Sequence, residues 1–343
     1  MTQFTFRKHL LGALVVCFPL MTLASQLPAL AGGNTPTRRL PRYQNPVITE
    51  PSPGAPDPTI MQDGDTYFLY ATTGGREEAF SQYSSKDLVH WKSEGYMFRP
   101  QDKPDWISGD YWAPDVQKTD DGYVAYYTAR DQEGRLCIGV GTSDSPTGPW
   151  ADSGKPLIHD PRVGMIDPNC FIDDDGNRYL YWKGDHNDLR PQERTPIYVQ
   201  ELSGDGLELI GERKEVLHND LPWEADLVEG TCTVKHDDMY YMFYSGNAYW
   251  NDQYATGVAR SHSPFGPFEK KGEPILRSGE HFVGPGHGTV AEGPDGQDYY
   301  IYHAWEPGHT GDPHSRNVLL DKITWGRDGW PSIGDGTPSE GSR

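Results

Sequence analysis

Apolar and polar residues alternate with a period of two in short runs along most of the chain, and the runs come in pairs joined by tight turns. One pair starts at Met165-Ile166-Asp167-Pro168-Asn169-Cys170-Phe171-Ile172, passes Asp173-Asp174-Asp175-Gly176-Asn177 and returns through Arg178-Tyr179-Leu180-Tyr181-Trp182. Asp-Gly between two such runs predicts a β-hairpin. Four further copies follow the same plan. Asp57-Pro58-Thr59-Ile60 leads through Asp63-Gly64 to Tyr67-Phe68-Leu69-Tyr70, and Trp112-Ala113-Pro114-Asp115-Val116 leads through Asp121-Gly122 to Tyr123-Val124-Ala125-Tyr126-Tyr127. Val228-Glu229-Gly230-Thr231 leads through Asp237-Asp238 to Tyr240-Tyr241-Met242-Phe243-Tyr244, and Gly288-Thr289-Val290 through Asp295-Gly296 to Tyr299-Tyr300-Ile301-Tyr302.

The returning strands begin at Tyr67, Tyr123, Tyr179, Tyr240 and Tyr299, at intervals of 56, 56, 61 and 59 residues. A repeat of this length built from short strands predicts a β-propeller of four-stranded antiparallel blades around a central channel. Five hairpins predict five blades and an all-β fold. Asp57, Asp115, Asp167 and Glu229 sit just before or within the first strand of a unit. Equivalent positions on innermost strands converge on the axis, so several carboxylates are expected to face one another there.

Each hairpin is followed by an outer half, as in Ser145-Pro146-Thr147-Gly148-Pro149-Trp150 and Ser263-Pro264-Phe265-Gly266-Pro267-Phe268, where a tight Pro/Gly turn precedes an aromatic residue. No long amphipathic helix appears, which excludes a barrel of alternating strands and helices. Ahead of the repeats, Arg7 and Lys8 precede an apolar run from Leu10 to Leu23 and the small-residue site Ala29-Leu30-Ala31, the pattern of a secretory signal peptide over residues 1–31. A linker is expected over 32–44, a single propeller over 45–335 and a flexible Gly/Ser/Pro tail over 336–343.

The formal net charge of −20 argues against nucleic acid or an anionic membrane as a partner and favours a neutral polymer or small molecule. With the leader set aside, Cys137, Cys170 and Cys232 remain, an odd number without a Cys-x-x-Cys spacing, so buried thiols are expected rather than a disulfide framework or a zinc site.

Asp57, Asp167 and Glu229 lie on three different blades and aim at one channel. Like charges a few ångströms apart raise one another's pKa, which keeps one acid protonated near neutral pH. Splitting a glycosidic bond needs such a pair: an acid for the leaving oxygen and a carboxylate that activates water. The Asp of each Asp-Gly turn reads instead as a turn former, and Asp115 as either a strand anchor or a solvent ligand. Glu224, in Trp223-Glu224-Ala225-Asp226, is a second candidate acid, but Glu229 holds the repeat position directly before its hairpin.

The ordered set Asp57-Pro58-Thr59-Ile60, Trp112-Ala113-Pro114-Asp115-Val116, Ile166-Asp167-Pro168-Asn169 with Asp174-Asp175-Gly176, and Val228-Glu229-Gly230 resembles glycoside hydrolase family 43 over about Asn45 to Pro331. The resemblance implies a five-bladed propeller that hydrolyses arabinan, xylan side chains and related plant polysaccharides with inversion. It implies Asp57 as general base, Glu229 as general acid, and Asp167 as the residue that raises and orients Glu229. Inversion places acid and base roughly 6.5–9.5 Å apart. Gly284-Pro285-Gly286-His287-Gly288 resembles the segment that brings a His to the axis, where it binds water or a water-shelled calcium; a buried hydrogen-bonded His287 is the competing reading. No cofactor is expected in the chemistry itself. Arg316 matches an Arg that bonds sugar hydroxyls, and Trp112, Phe80, Tyr249 and Trp250 are aromatic candidates for stacking on a sugar face.

The expected protein is thus a secreted monomer acting on plant cell-wall polysaccharide or oligosaccharide. Exo-acting α-L-arabinofuranosidase leads, partly because Cys137-Ile138-Gly139-Val140 and Ser245-Gly246-Asn247-Ala248-Tyr249 resemble arabinose-releasing members; β-xylosidase and endo-arabinanase follow. A carbohydrate-binding propeller without turnover is the alternative of another class.

Overall fold

A computed structural model describes Met1 and residues 39–342, apart from positions 52, 53 and 76. The expected signal peptide and most of the expected linker lie outside the described residues. All the described strands belong to one compact unit, Thr37–Arg343. No helix among the described residues is long and apolar enough to cross a membrane.

Twenty strands form five antiparallel four-stranded sheets, each drawn from one continuous stretch of chain. The first comprises β1 (Thr59–Asp63), β2 (Thr66–Ala71), β3 (Ala79–Ser85) and β4 (Lys92–Phe98). The second is β5 (Ile107–Thr119), β6 (Gly122–Asp131), β7 (Leu136–Ser143) and β8 (Ala151–Asp152). The third is β9 (Met165–Ile172), β10 (Arg178–Gly184), β11 (Pro196–Leu202) and β12 (Leu209–His218). The fourth is β13 (Val228–His236), β14 (Met239–Gly246), β15 (Ala255–Ser261) and β16 (Glu269–Lys270). The last is β17 (Val283–Glu292), β18 (Asp298–Trp305), β19 (Asn317–Trp325) and β20 (Pro331–Ile333). The first strands β1, β5, β9, β13 and β17 touch in succession, and β17 touches β1. The protein is a five-bladed β-propeller, as the repeat predicts.

The turns follow local chemistry. Gly64, Gly122, Gly176 and Gly296 adopt positive φ where the inner hairpins reverse, and Asp237 takes that role in the fourth blade at φ 51°. The outer turns are held by the preceding blade. Tyr70 donates its hydroxyl to the Pro146 carbonyl at 2.6 Å and Tyr181 to Pro264 at 2.7 Å, while Trp150 packs edge-on against Tyr70. Inner turns are clamped likewise: Asp63 accepts from Tyr123 and Lys118 of the next blade, and Asp173 from Tyr240 and Lys235. Burial of one apolar face per blade against the next, as in the cluster of Phe80, Phe98, Tyr111 and Tyr127, supplies the main driving force.

Ring closure is non-covalent. Ile48 bridges Val318 on β19, and Asn45 exchanges side-chain hydrogen bonds with the Leu320 backbone at 3.1 and 3.0 Å. Gly54 lies against Arg316 so closely that a Cβ there would stand 2.0 Å from the Arg316 carbonyl oxygen. The C-terminal segment, expected to be flexible, is tied down: Asn45 N–H donates to the Glu340 carbonyl and Ser342 N–H to that of Tyr43. The backbone of residues 43–45 offers it a partner that composition alone does not reveal.

Cys137, Cys170 and Cys232 are buried and free, and burial pushes their thiols above the usual range.

Candidate active site

The inner strands do not enter the axis as plain β-structure. Asp57, Ala113, Asp167 and His287 have φ of 55°, 44°, 57° and 43°, and Gly230 supplies the same turn in the fourth blade at 59°. Left-handed backbone at non-glycine residues costs on the order of 1 kcal/mol or more each and persists where the surroundings over-determine it. These five residues, four non-glycines and Gly230, one per blade, form a ring. The ring corrects the equivalence drawn from sequence: Asp115 stands two residues beyond Ala113, so it does not correspond to Asp57. Asp115 is 3 % exposed and works as a strand anchor, accepting from Thr59 at 2.9 Å, from the Cys170 N–H at 2.7 Å and from Gln117 at 3.2 Å. Three blades are joined through that carboxylate.

Asp57, Asp167 and Glu229 line one cavity of about 580 Å³ at the axis. Asp57 Oδ1 faces Arg316 Nη1 at 2.7 Å, His303 Nδ1 at 3.2 Å and His287 Nδ1 at 3.3 Å, and Oδ2 accepts from Thr72 at 2.6 Å. Burial works to raise this carboxyl, but Arg316, His287 and His303 prevail and hold it well below the usual range. His303 is fully buried, its pKa lowered to about 4 by burial and by Arg316, and its Nδ1 lies 3.2 Å from both the Asp57 backbone nitrogen and Oδ1. Asp57 is therefore ionised and fixed from four sides.

Asp167 is the opposite case. Burial raises its pKa, the neighbouring Glu229 and Asp57 add to the rise against His287 and Lys183, and the result is about 6. Its Oδ2 accepts the Gly230 N–H at 3.1 Å, which ties it to the residue after Glu229. Glu229 is 8 % exposed; its Oε2 accepts from Lys183 Nζ at 2.9 Å and its Oε1 from the Tyr254 hydroxyl at 3.0 Å.

Five of the remaining expected residues also reach this cavity. Trp112, Tyr249, His287 and Arg316 line it, with Trp250, which is 54 % exposed. The Arg316 guanidinium lies 4.5 Å over the Tyr249 ring. Phe80 does not belong there. It is fully buried, 5.0 Å from Tyr127 and 5.6 Å from Tyr111 between ring centroids, and is a core residue of the first two blades. Glu224 is also fully buried away from the cavity, accepting from Lys270, from the Tyr244 hydroxyl and from the N–H groups of Asp220 and Leu221. Those bonds make it a loop anchor.

Sequence reasoning missed Lys183, Asp185, Tyr254 and His303. The available signal was a Lys and a His ending apolar runs, in Tyr181-Trp182-Lys183 and Tyr302-His303, where burial without a partner would be costly.

Residues 43–331 match the profile of glycosyl hydrolases family 43. A beta-D-galactofuranosidase of Aspergillus niger is 28% identical over 78% of this chain and 78% of its own length. A non-reducing end alpha-L-arabinofuranosidase of Bacteroides ovatus is 27% identical over 87% of this chain, which spans 55% of that relative's length. Among solved structures, a thermostable family-43 glycoside hydrolase superposes with a TM-score of 0.78 at 32% identity, covering 88% of this chain and 99% of that one. A propeller of the same build, with the three carboxylates in one axial cavity, leads to one conclusion: the chain belongs to glycoside hydrolase family 43.

Proposed function

We propose that the protein is an exported inverting glycosidase, an exo-acting α-L-arabinofuranosidase that releases arabinose from arabinan or arabinoxylan. The observation that carries the mechanism is the opposite tuning of two carboxylates in one cavity. Asp57 is held ionised by Arg316 and two histidines, as a general base requires, while Asp167 is raised to about 6 beside Glu229. Glu229 gives its proton to the glycosidic oxygen, the bond from that oxygen to the anomeric carbon breaks, and Asp57 takes a proton from the attacking water. Asp167 acts through Glu229 by position: its Oδ2 accepts the Gly230 N–H at 3.1 Å and so fixes the backbone next to the acid. Arg316 and Tyr249 bind the sugar, and Trp112 packs on its apolar face.

The choice of sugar draws on the relatives. Two are furanosidases, one for galactofuranose and one for arabinofuranose, and an extracellular exo-alpha-(1->5)-L-arabinofuranosidase of Cellvibrio japonicus is 26% identical over 81% of this chain. β-Xylosidase is the second reading, since a xylan beta-1,4-xylosidase from Bacillus halodurans shares 26% identity at a TM-score of 0.74.

At His287 two occupants of the axial space that Asp57, Asp115, Asn169 and His287 line remain open, a water or a calcium whose other ligands are waters.

The test is hydrolysis of the nitrophenyl α-L-arabinofuranoside and β-D-xyloside by wild type and Glu229→Gln, with the anomer of the first product followed by NMR. Release of arabinose with inversion, lost in the variant, is the expected result; a xylose preference changes the sugar, and retention overturns the mechanism.

A further inference from the structure

Lys183 brings to the cavity a positive charge that the two-carboxylate scheme leaves unused. It sits near the end of β10, where the pairing with β9 shifts register between Tyr181 and Lys183, and it is 2 % exposed. Its Nζ touches two carboxylates, Glu229 Oε2 at 2.9 Å and Asp185 Oδ1 at 3.0 Å. Burial opposes its charge, but Glu229, Asp185 and Asp167 outweigh that, and when Glu229 carries its proton Asp185 and Asp167 remain to keep Lys183 a cation. Asp185 is itself fixed, its N–H donating to the Gly164 carbonyl at 2.8 Å.

We propose that Lys183, braced by Asp185, is a positioning residue for the proton donor, locking the Glu229 carboxyl so that its transferable proton resides on Oε1. The proposal rests on Glu229 being the general acid. An ammonium has three donors and no acceptor, so the oxygen it faces must accept in either protonation state of Glu229. Oε2 is that oxygen. The proton therefore belongs to Oε1, where the Tyr254 hydroxyl, 3.0 Å away, can accept as well as donate. During cleavage the proton passes from Oε1 to the leaving oxygen, the electron pair of the broken bond stays on that oxygen, and Glu229 becomes a carboxylate. Lys183 then bonds a full negative charge instead of a neutral carbonyl oxygen, a contact stronger in the transition state than before it.

Removing Lys183 alone would leave Glu229 and Asp185 buried without their cation and endanger folding. The charge-balanced variant Lys183→Met with Asp185→Asn avoids this, and thermal unfolding confirms that it is folded. The readout is the leaving-group dependence of kcat on aryl α-L-arabinofuranosides, or aryl β-D-xylosides if those are cleaved. Phenyl needs protonation to depart, whereas dinitrophenyl leaves without it. The expected result is a kcat lower by about 10²-fold on the phenyl glycoside and nearly unchanged on the dinitrophenyl glycoside, with KM preserved on both. An equal loss on both, or none on either, overturns the proposal. Glu229→Gln is run beside it. A steep leaving-group dependence there with a flat one in the double variant overturns the role of Lys183 alone; a flat one in Glu229→Gln removes the acid assignment, and the proposal with it.

Discussion

Arg316 Nη1 lies 2.7 Å from Asp57 Oδ1, so the fifth blade supplies the cation that keeps the first blade's carboxylate charged. Replacing Arg316 by Met leaves only the two histidines against Asp57. Its pKa rises, and because the base must be ionised, the acid limb of the kcat/KM–pH profile moves upward. kcat/KM at the optimum falls by about 10²-fold if, as proposed, the same side chain also orients the sugar. Rate profiles from acid to neutral pH check both effects.

Asp167 carries a stability cost with a defined pH window. Its folded pKa of about 6 lies above the ordinary 3.8, so between those values the folded protein binds more protons than the unfolded chain. Its contribution to stability is therefore greatest in acid and declines as pH rises through that window. Asp167→Asn keeps an acceptor for the Gly230 N–H and removes the decline. Tm at pH 7 is expected to rise by a few degrees while kcat falls by about 10²-fold. A variant equally stable to wild type at pH 7 would refute this account.

Glu224 and Glu229 separate cleanly by substitution. Glu224→Gln deprives Lys270 of its buried counter-ion and should cost about 3–5 kcal/mol in denaturant unfolding, with kcat per folded molecule retained.

Phe80→Ala opens a hole among Phe98, Tyr111 and Tyr127 and is expected to cost about 3–5 kcal/mol. KM stays at the wild-type value, measured on the same nitrophenyl glycoside. A large rise in KM with unchanged stability would return Phe80 to the sugar site.

Dialysis against a calcium chelator leaves Tm and kcat unchanged if the axial space holds water. A loss of Tm restored by calcium would assign the ion to that space.

The blades were legible in the sequence because turn chemistry is local: Asp63-Gly64 or Asp295-Gly296 encodes its reversal within a few residues. The three carboxylates were legible because each opens a repeated unit. Asp115 was misaligned because the left-handed residue of its blade is an alanine, Ala113, whose side chain announces nothing. Phe80 lies on β3 and Trp112 on β5, and only packing tells the core residue from the wall of the cavity. Lys183 and Tyr254 were missed because each is meaningful only through Glu229, 46 residues after the first and 25 before the second. Glu224 shows the reverse: a carboxylate beside the right motif, consumed by four donors of its own neighbourhood.

The non-covalent closure of the ring falls beside its chemistry. Asn45, Ile48 and Gly54 grip the strand and loop that carry Arg316, and Arg316 grips Asp57. The seam between first and last blades is thus also the contact that keeps Asp57 ionised. A chain whose ends loosened would fall silent as an enzyme while four inter-blade junctions were still intact, so catalysis reports on the integrity of this one joint before any global signal of unfolding does.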